Sequence, residues 1–255
     1  MGVPGLAGNI KSFAYLGERL AGDDIQLVAF DPRGRGQSET TRPGTYGWES
    51  HALDAFSVAD ELGFGRFAII GQSMGGSVAM KSAELDAARL TAVVLVDVAG
   101  RVDRGVAAPI ATSISRLSRA YESLEHYLGD VRSQGLVQDW NEYWDDAYGY
   151  DVHDIEGRTV VRTSVDAVNE DRAYTATQDP YSRWKHLTMP TLLLRATREL
   201  LTGAGFVVPA GDRDRFRRDV PHAAVVEIDA NHLTINAHPD TVAAVVRFLT
   251  SATAA

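Results

Sequence analysis

Ser73 is the residue of this chain best placed to act as a nucleophile. It sits in Gly71-Gln72-Ser73-Met74-Gly75-Gly76, between the apolar run Phe67-Ala68-Ile69-Ile70 and a helix-compatible stretch at 77–85. Strand, sharp turn and helix is the context that a Gly-x-Ser-x-Gly elbow requires. Small flanking residues let the backbone crowd together and leave the serine Oγ projecting. Such a serine needs a base. Asn231-His232 follows an apolar run at 225–228 and precedes the last helical pattern, so a loop there can swing His232 over a serine at the carboxyl end of the same sheet. The other histidines, His51, His126, His153, His186, His222 and His238, have no such placement. His232 would take the Ser73 proton and later return it to a leaving group. A developing oxyanion needs backbone N–H donors, and Met74, directly after the serine at a helix N-terminus, offers one.

These residues need a sheet to hold them. Apolar runs at 25–30, 67–70, 92–96, 191–194 and 225–228 alternate with helical patterns, which predicts an α/β fold with a mostly parallel sheet buried on both faces. Phe13, Leu16 and Leu20 sit at helical spacing, as do Leu53, Phe56 and Leu62. The last helix opens at Pro239 and buries Val242, Val245, Val246 and Leu249. Residues 101–187 differ: they lack strong strand runs and carry Ile110, Ile114, Leu117, Tyr121 and Leu124 at amphipathic spacing. This predicts a helical cap inserted into a core formed by 1–100 and 188–255. The cap's aromatic cluster nominates Trp140, Tyr143 and Trp144 as substrate-pocket residues, although large rings also serve as packing.

Composition removes whole classes of chemistry. The chain has 255 residues and no cysteine, so disulfides, thiolate metal sites and cysteine nucleophiles are excluded. A net charge of −9 argues against nucleic acid and anionic membranes as partners, and homo-oligomerisation stays open. No apolar stretch reaches a membrane span and no signal-peptide pattern opens the chain, so a cytoplasmic location is expected. The histidines and carboxylates show no metal-ligand spacing, and no glycine-rich segment has a P-loop or dinucleotide fingerprint; no cofactor is expected. Arg213, Arg215, Arg217 and Arg218 alternate with aspartates as a solvated face.

Three separated motifs give the chain a resemblance to the α/β-hydrolase family, of esterase or lactonase type. They are Asp31-Pro32-Arg33-Gly34-Arg35-Gly36-Gln37-Ser38, the elbow around Ser73, and Asn231-His232, and the resemblance runs from Val3 onward. It implies a serine nucleophile, a helical cap after the sixth strand, and triad residues on strand-end loops. The segment from Asp31 to Ser38 would shape a loop near the site, with Arg33 bracing the fold. The second oxyanion donor would be the N–H of Leu6 in Pro4-Gly5-Leu6-Ala7-Gly8-Asn9, where proline replaces the family's histidine. The acid stays open between Glu199, at the family's usual position, and Asp97, which closes the 92–96 run as in haloalkane-dehalogenase-like relatives. The family carries further β-structure ahead of the oxyanion loop, where this chain has three residues, Met1 to Val3. Its N-terminal strands are therefore expected to be missing, through a start placed too late or a truncation rescued by another chain. The implied activity is hydrolysis of a small ester or lactone through an acyl-enzyme. Carbon–carbon hydrolysis of a diketone-like substrate and non-catalytic ligand binding are the alternatives.

Overall fold

The computed structural model describes residues 1–20 and 25–253. The chain opens with β1 (Gly2–Val3), then α1 (Ala14–Leu20), α2 (Trp48–Glu61), β2 (Phe67–Gln72), α3 (Met74–Asp86) and β3 (Leu90–Val96). Between β3 and the next strand of the main sheet come α4 (Ala107–Ser115), β4 (Ala120–Tyr121), α5 (Leu124–Ser133), α6 (Glu142–Gly149), β5 (Val152–Ile155), β6 (Arg158–Val161) and α7 (Val165–Ala176). The chain returns through β7 (Thr191–Ala196), α8 (Ala210–Asp219), β8 (Ala224–Ile228) and α9 (Pro239–Thr253). Among the described residues the main sheet is parallel throughout, in the order β1-β2-β3-β7-β8.

Alternation along the central strands explains why both faces are apolar. Ile69, Val93, Leu95 and Leu193 point to the side covered by Trp48, Ala52 and Ala55 of α2, Val78 of α3 and Phe216 of α8. Ile70, Val94, Val96, Leu192 and Leu194 point to the side covered by Leu16 and Leu20 of α1 and Val245 of α9. Each fully buried side chain of this size contributes about 1.5–3 kcal/mol, so the strands that carry the catalytic candidates sit in the best-packed part of the molecule.

Three sequence expectations change in the structure. The 25–30 run forms a single bridge, Ala29 to Gly2, beside the hydrogen bond from Gly2 N–H to Val28 O at 2.7 Å. The position between that run and β2 is filled by two residues, which leaves little ladder for the run to pair with. On α2 the predicted apolar stripe holds only at Phe56, which packs against the core: Leu53 and Leu62 are 51% and 49% exposed, and the fully buried face is Trp48, His51, Ala52, Ala55 and Ala59. Small alanines let α2 pack closely against α3. Finally, the 101–187 region is not purely helical, since β4, β6 and β5 make an antiparallel sheet. Its hairpin turns at Glu156-Gly157, both at positive φ, the geometry of a two-residue primed turn.

Candidate active site

The elbow is built by the absence of side chains. Ser73 joins β2 to α3 at φ 54° and ψ −121°, a strained conformation for a residue with a Cβ, costing about 1–3 kcal/mol. A Cβ on Gly71 would fall on the Gly75 carbonyl, one on Gly75 on the Val3 carbonyl, and one on Gly76 on the Val98 side chain. The N-terminus of α3 therefore presses directly on the Pro4 to Asn9 loop. A Cβ on Gly5 would lie 3.4 Å from Ser73 Cβ, so Leu6 and Met74 flank the serine. Met74, as the first helical residue, has an N–H with no acceptor inside α3.

His232 lies in the loop after β8, and its Nδ1 is 2.8 Å from Asp97 Oδ2. Asp97 follows β3 directly, at φ 50°, and is almost fully buried. Its backbone N–H donates to Leu194 O at 2.7 Å and its Oδ1 accepts the Ala196 N–H at 2.9 Å, so the carboxylate is fixed across the ends of β3 and β7. A carboxylate at Nδ1 selects the tautomer with its proton there, leaving Nε2 as an acceptor. Nε2 is 3.4 Å from Gln72 Nε2, whose amide also donates to His232 O at 3.2 Å. Among the described residues no hydrogen bond joins Ser73 to His232; the two meet as walls of one cavity. Glu199 is engaged elsewhere, accepting the N–H groups of Gly203 at 2.8 Å and Gly205 at 3.1 Å. Of the two carboxylates proposed from sequence, Asp97 alone touches the imidazole. Asn231 pins the histidine loop, accepting from Leu233 and Thr234 N–H at 3.0 Å each and donating to Leu136 O at 2.8 Å.

The Asp31 to Ser38 segment holds the Pro4 to Asn9 loop. Asp31 accepts the Ile10 N–H at 2.8 Å and the Tyr150 hydroxyl at 2.7 Å, and Arg35 Nε donates to Leu6 O at 3.0 Å. Arg35 is itself fully buried with His51 and Asp171: its Nη2 meets Asp171 Oδ2 at 2.5 Å, His51 Nε2 lies 2.9 Å from the same oxygen, and Gly47 N–H donates to Oδ1 at 2.7 Å. Burial works to raise the Asp171 pKa, but His51, Arg35 and the Gly47 N–H outweigh it and hold the carboxyl below its ordinary value. Arg33 faces Asp54 and the Thr45 carbonyl, a brace as expected.

The shared cavity has a volume of about 190 Å³, smaller than the roughly 300–1,000 Å³ of pockets for drug-sized ligands. Leu6, Ser73, His232, Tyr143 and Trp144 all line it. Trp140 does not: it stacks on Tyr148 at 5.4 Å and donates its indole N–H to Asp145 at 2.8 Å. Two charged residues in the lining, Arg116 and Asp151, belong to no motif and escape a reading of the sequence. Burial pushes the Asp151 carboxyl up to about 6, against the pull of Arg116 and the Thr163 hydroxyl. Among the described residues no cluster of three or more acidic or histidine side chains could hold a metal ion, and no helix is long and apolar enough to cross a membrane.

Comparison with known proteins places the fold. The chain is 34% identical to N-formylmaleamate deformylase of Pseudomonas putida over 95 residues, a match spanning 37% of this chain and 35% of that relative's length. Among solved structures it resembles E-2-(acetamidomethylene)succinate hydrolase (TM-score 0.82, 20% identity, 98% of this chain and 90% of the other). It also resembles the enol-lactonase of Burkholderia xenovorans (TM-score 0.70, 19% identity, 98% and 90%). At those identities the structural likeness establishes the fold. The model of the alpha/beta hydrolase family matches residues 3–245, nearly the whole length over which the elbow, the Asp31 segment and the histidine loop converge, and the chain belongs to that family.

Proposed function

We propose that the protein is a serine hydrolase that cleaves small carboxylic esters or lactones through an acyl-enzyme, with Ser73 as nucleophile, His232 as base and Asp97 as the acid. The observation that carries this reading is the 2.8 Å contact between His232 Nδ1 and Asp97 Oδ2, with Ser73 at a strained turn in the same cavity. His232 Nε2 accepts the Ser73 proton as Oγ attacks the acyl carbonyl, once the Gln72 amide cedes that nitrogen. The Met74 and Leu6 N–H groups bind the oxyanion, and the imidazolium, stabilised by Asp97, protonates the leaving group. Water then repeats the sequence on the acyl-enzyme and releases the acid. Residues 101–187 act as the cap that shapes the pocket over a core of 1–100 and 188–255, with Tyr143 and Trp144 in the pocket wall.

The name of the Pseudomonas putida relative, a deformylase, supports amide hydrolysis as a second reading of the same machinery, since the acyl-enzyme route serves both bonds. A fluorophosphonate probe tests the shared core. Labelling should map to Ser73 and vanish in Ser73→Ala. Well-folded protein left unlabelled would refute the hydrolase reading and move ligand binding without turnover ahead. Parallel assays with 4-nitrophenyl esters, lactones and N-formyl amides then rank the bond types.

A further inference from the structure

Arg116 stands out in the lining of the cavity. It begins a short 3₁₀ turn after α4, is 4% exposed, and shares the cavity with Ser73 and His232. A guanidinium keeps its charge in a protein interior and carries five N–H donors. Three are committed here: Nη1 donates to Ser113 O at 2.6 Å, Nε to the Tyr127 hydroxyl at 3.3 Å, and Nη2 to Ala7 O at 3.4 Å. The other two, one on each Nη, have no acceptor among the described residues. No described carboxylate pairs with Arg116, whereas Arg35, equally buried, is matched by Asp171. Asp151, in the same lining, gives both oxygens to the Thr163 hydroxyl, at 2.8 and 3.0 Å.

The Arg116 charge is met by neutral acceptors, by the Tyr148 ring 5.5 Å from the guanidinium and by the field of the nearby Asp151. A buried charge with no directly paired counter-charge favours an anion that can dock on its free N–H groups. We infer that Arg116 binds a carboxylate of the substrate, so that the natural substrate is a short half-acid: an ester or amide whose acyl chain ends in a free carboxylate. This rests on the hydrolase reading and narrows its substrate class. Two N–H groups on adjacent nitrogens suit the two oxygens of a carboxylate. Around them the lining is largely apolar, with Leu6, Ile114, Leu136, Trp144 and Leu233, so a charged end has one favourable place to go. The spacer must be short. Arg116 bonds to the carbonyl of Ala7, the residue after the Leu6 oxyanion donor, which puts the guanidinium against the loop that receives the scissile carbonyl, inside a small cavity.

The test compares mono(4-nitrophenyl) glutarate with its neutral methyl ester, which share the scissile bond and differ in the charge of the far end. The wild type should favour the anionic ester in kcat/KM. In Arg116→Gln the ratio of the two kcat/KM values should fall by about 10- to 150-fold, the range for losing a hydrogen bond to a charged group, with Arg116→Lys in between because it keeps charge without the planar fork. Taking a ratio cancels any difference in active fraction. In the wild type alone, glutarate should inhibit competitively and raise the melting temperature, and glutaramide should do neither. Equal turnover of both esters, an unchanged ratio in the variants, or equal effects of glutarate and glutaramide would overturn the inference while leaving the hydrolase reading intact. If neither ester is turned over but glutarate still protects the wild type and not Arg116→Gln, the anchor stands and the hydrolase reading falls. If the variants do not fold, the wild-type preference and the glutarate arm decide.

Discussion

Asp151 offers a measurement in which the sign of the effect is fixed by the structure. Its carboxyl is buried beside the cavity, and burial raises it from the ordinary 3.8 to about 6. Between those values the folded state holds a proton that the unfolded chain has released. The stabilisation from this group is therefore greatest in acid and is lost as pH rises through about 6. A shift of this size corresponds to about 3 kcal/mol in full, of which roughly 1.4 kcal/mol disappears between pH 5 and pH 8 by linkage. Asp151→Asn keeps an acceptor for Thr163 and cannot ionise. Whatever the amide costs in lost geometry is the same at both pH values, and every other titrating group is common to the two proteins. The stability of the variant relative to wild type should thus improve by roughly 1.4 kcal/mol from pH 5 to pH 8, or roughly 3–6 °C in Tm for a chain of this size. Urea unfolding of both proteins at the two pH values reads it directly. A relative stability that stays flat with pH, or that moves against the variant, would refute the claim that burial rather than Arg116 governs this carboxyl.

Two further outcomes follow from buried carboxylates with different partners. Asp97→Asn should lower kcat by about 10³–10⁴-fold, through the wrong imidazole tautomer, while Glu199→Gln, which alters a loop closure, should cost less than about tenfold. Steady-state kinetics on one ester separates the two, and comparable losses would sink the assignment of the acid. Asp171→Ala strands the buried Arg35 and His51 and should destabilise the fold by about 3–5 kcal/mol at neutral pH. Because the Asp171 carboxyl is held below its ordinary 3.8, that penalty should stay nearly constant above about pH 5 and shrink as pH falls below 3.8, the opposite slope to Asp151, in denaturant titrations at pH 3 and pH 6.

That the Ser73 elbow and His232 meet in one cavity was legible because both signals are local. An elbow demands small residues at fixed offsets, and a histidine loop after the last strand needs only chain order. Which carboxylate contacts His232 was not legible, because Asp97 and Glu199 both follow sheet strands and the choice depends on which strand end faces the imidazole. Arg116 was hidden by a change of helical phase: the stripe of Ile110, Ile114 and Leu117 places it off the apolar face of a continuous α-helix. The 3₁₀ turn at Arg116–Ser118 turns it inward. The β5–β6 hairpin did carry a signal, a Glu-Gly pair between β-branched residues, but the helical patterns on either side dominated that stretch. Alanine made the α2 face illegible, since a hydrophobic pattern favours the leucines that the structure exposes.

Proline at position 4, where the family has a histidine, raises the question of what holds the loop of the proposed oxyanion donor Leu6 in its place. The contacts come from four directions. The turn closes on itself through Gly8 N–H to Gly5 O at 3.0 Å. α3 abuts it at Gly75, where no side chain fits. Arg35 ties the Leu6 carbonyl to the buried Asp171 on α7, and Arg116, between α4 and β4, reaches the Ala7 carbonyl. Two of the four anchors thus come through residues 101–187, so the geometry of the Leu6 donor depends on the seating of that region. A carboxylate drawn to Arg116 would load the same contact that helps to fix the loop. Substrate recognition and oxyanion geometry then share one side chain, which predicts that losing Arg116 lowers kcat for half-acid esters as well as raising KM. Steady-state kinetics on Arg116→Gln checks this: a change confined to KM would show that the loop holds its shape without that arginine.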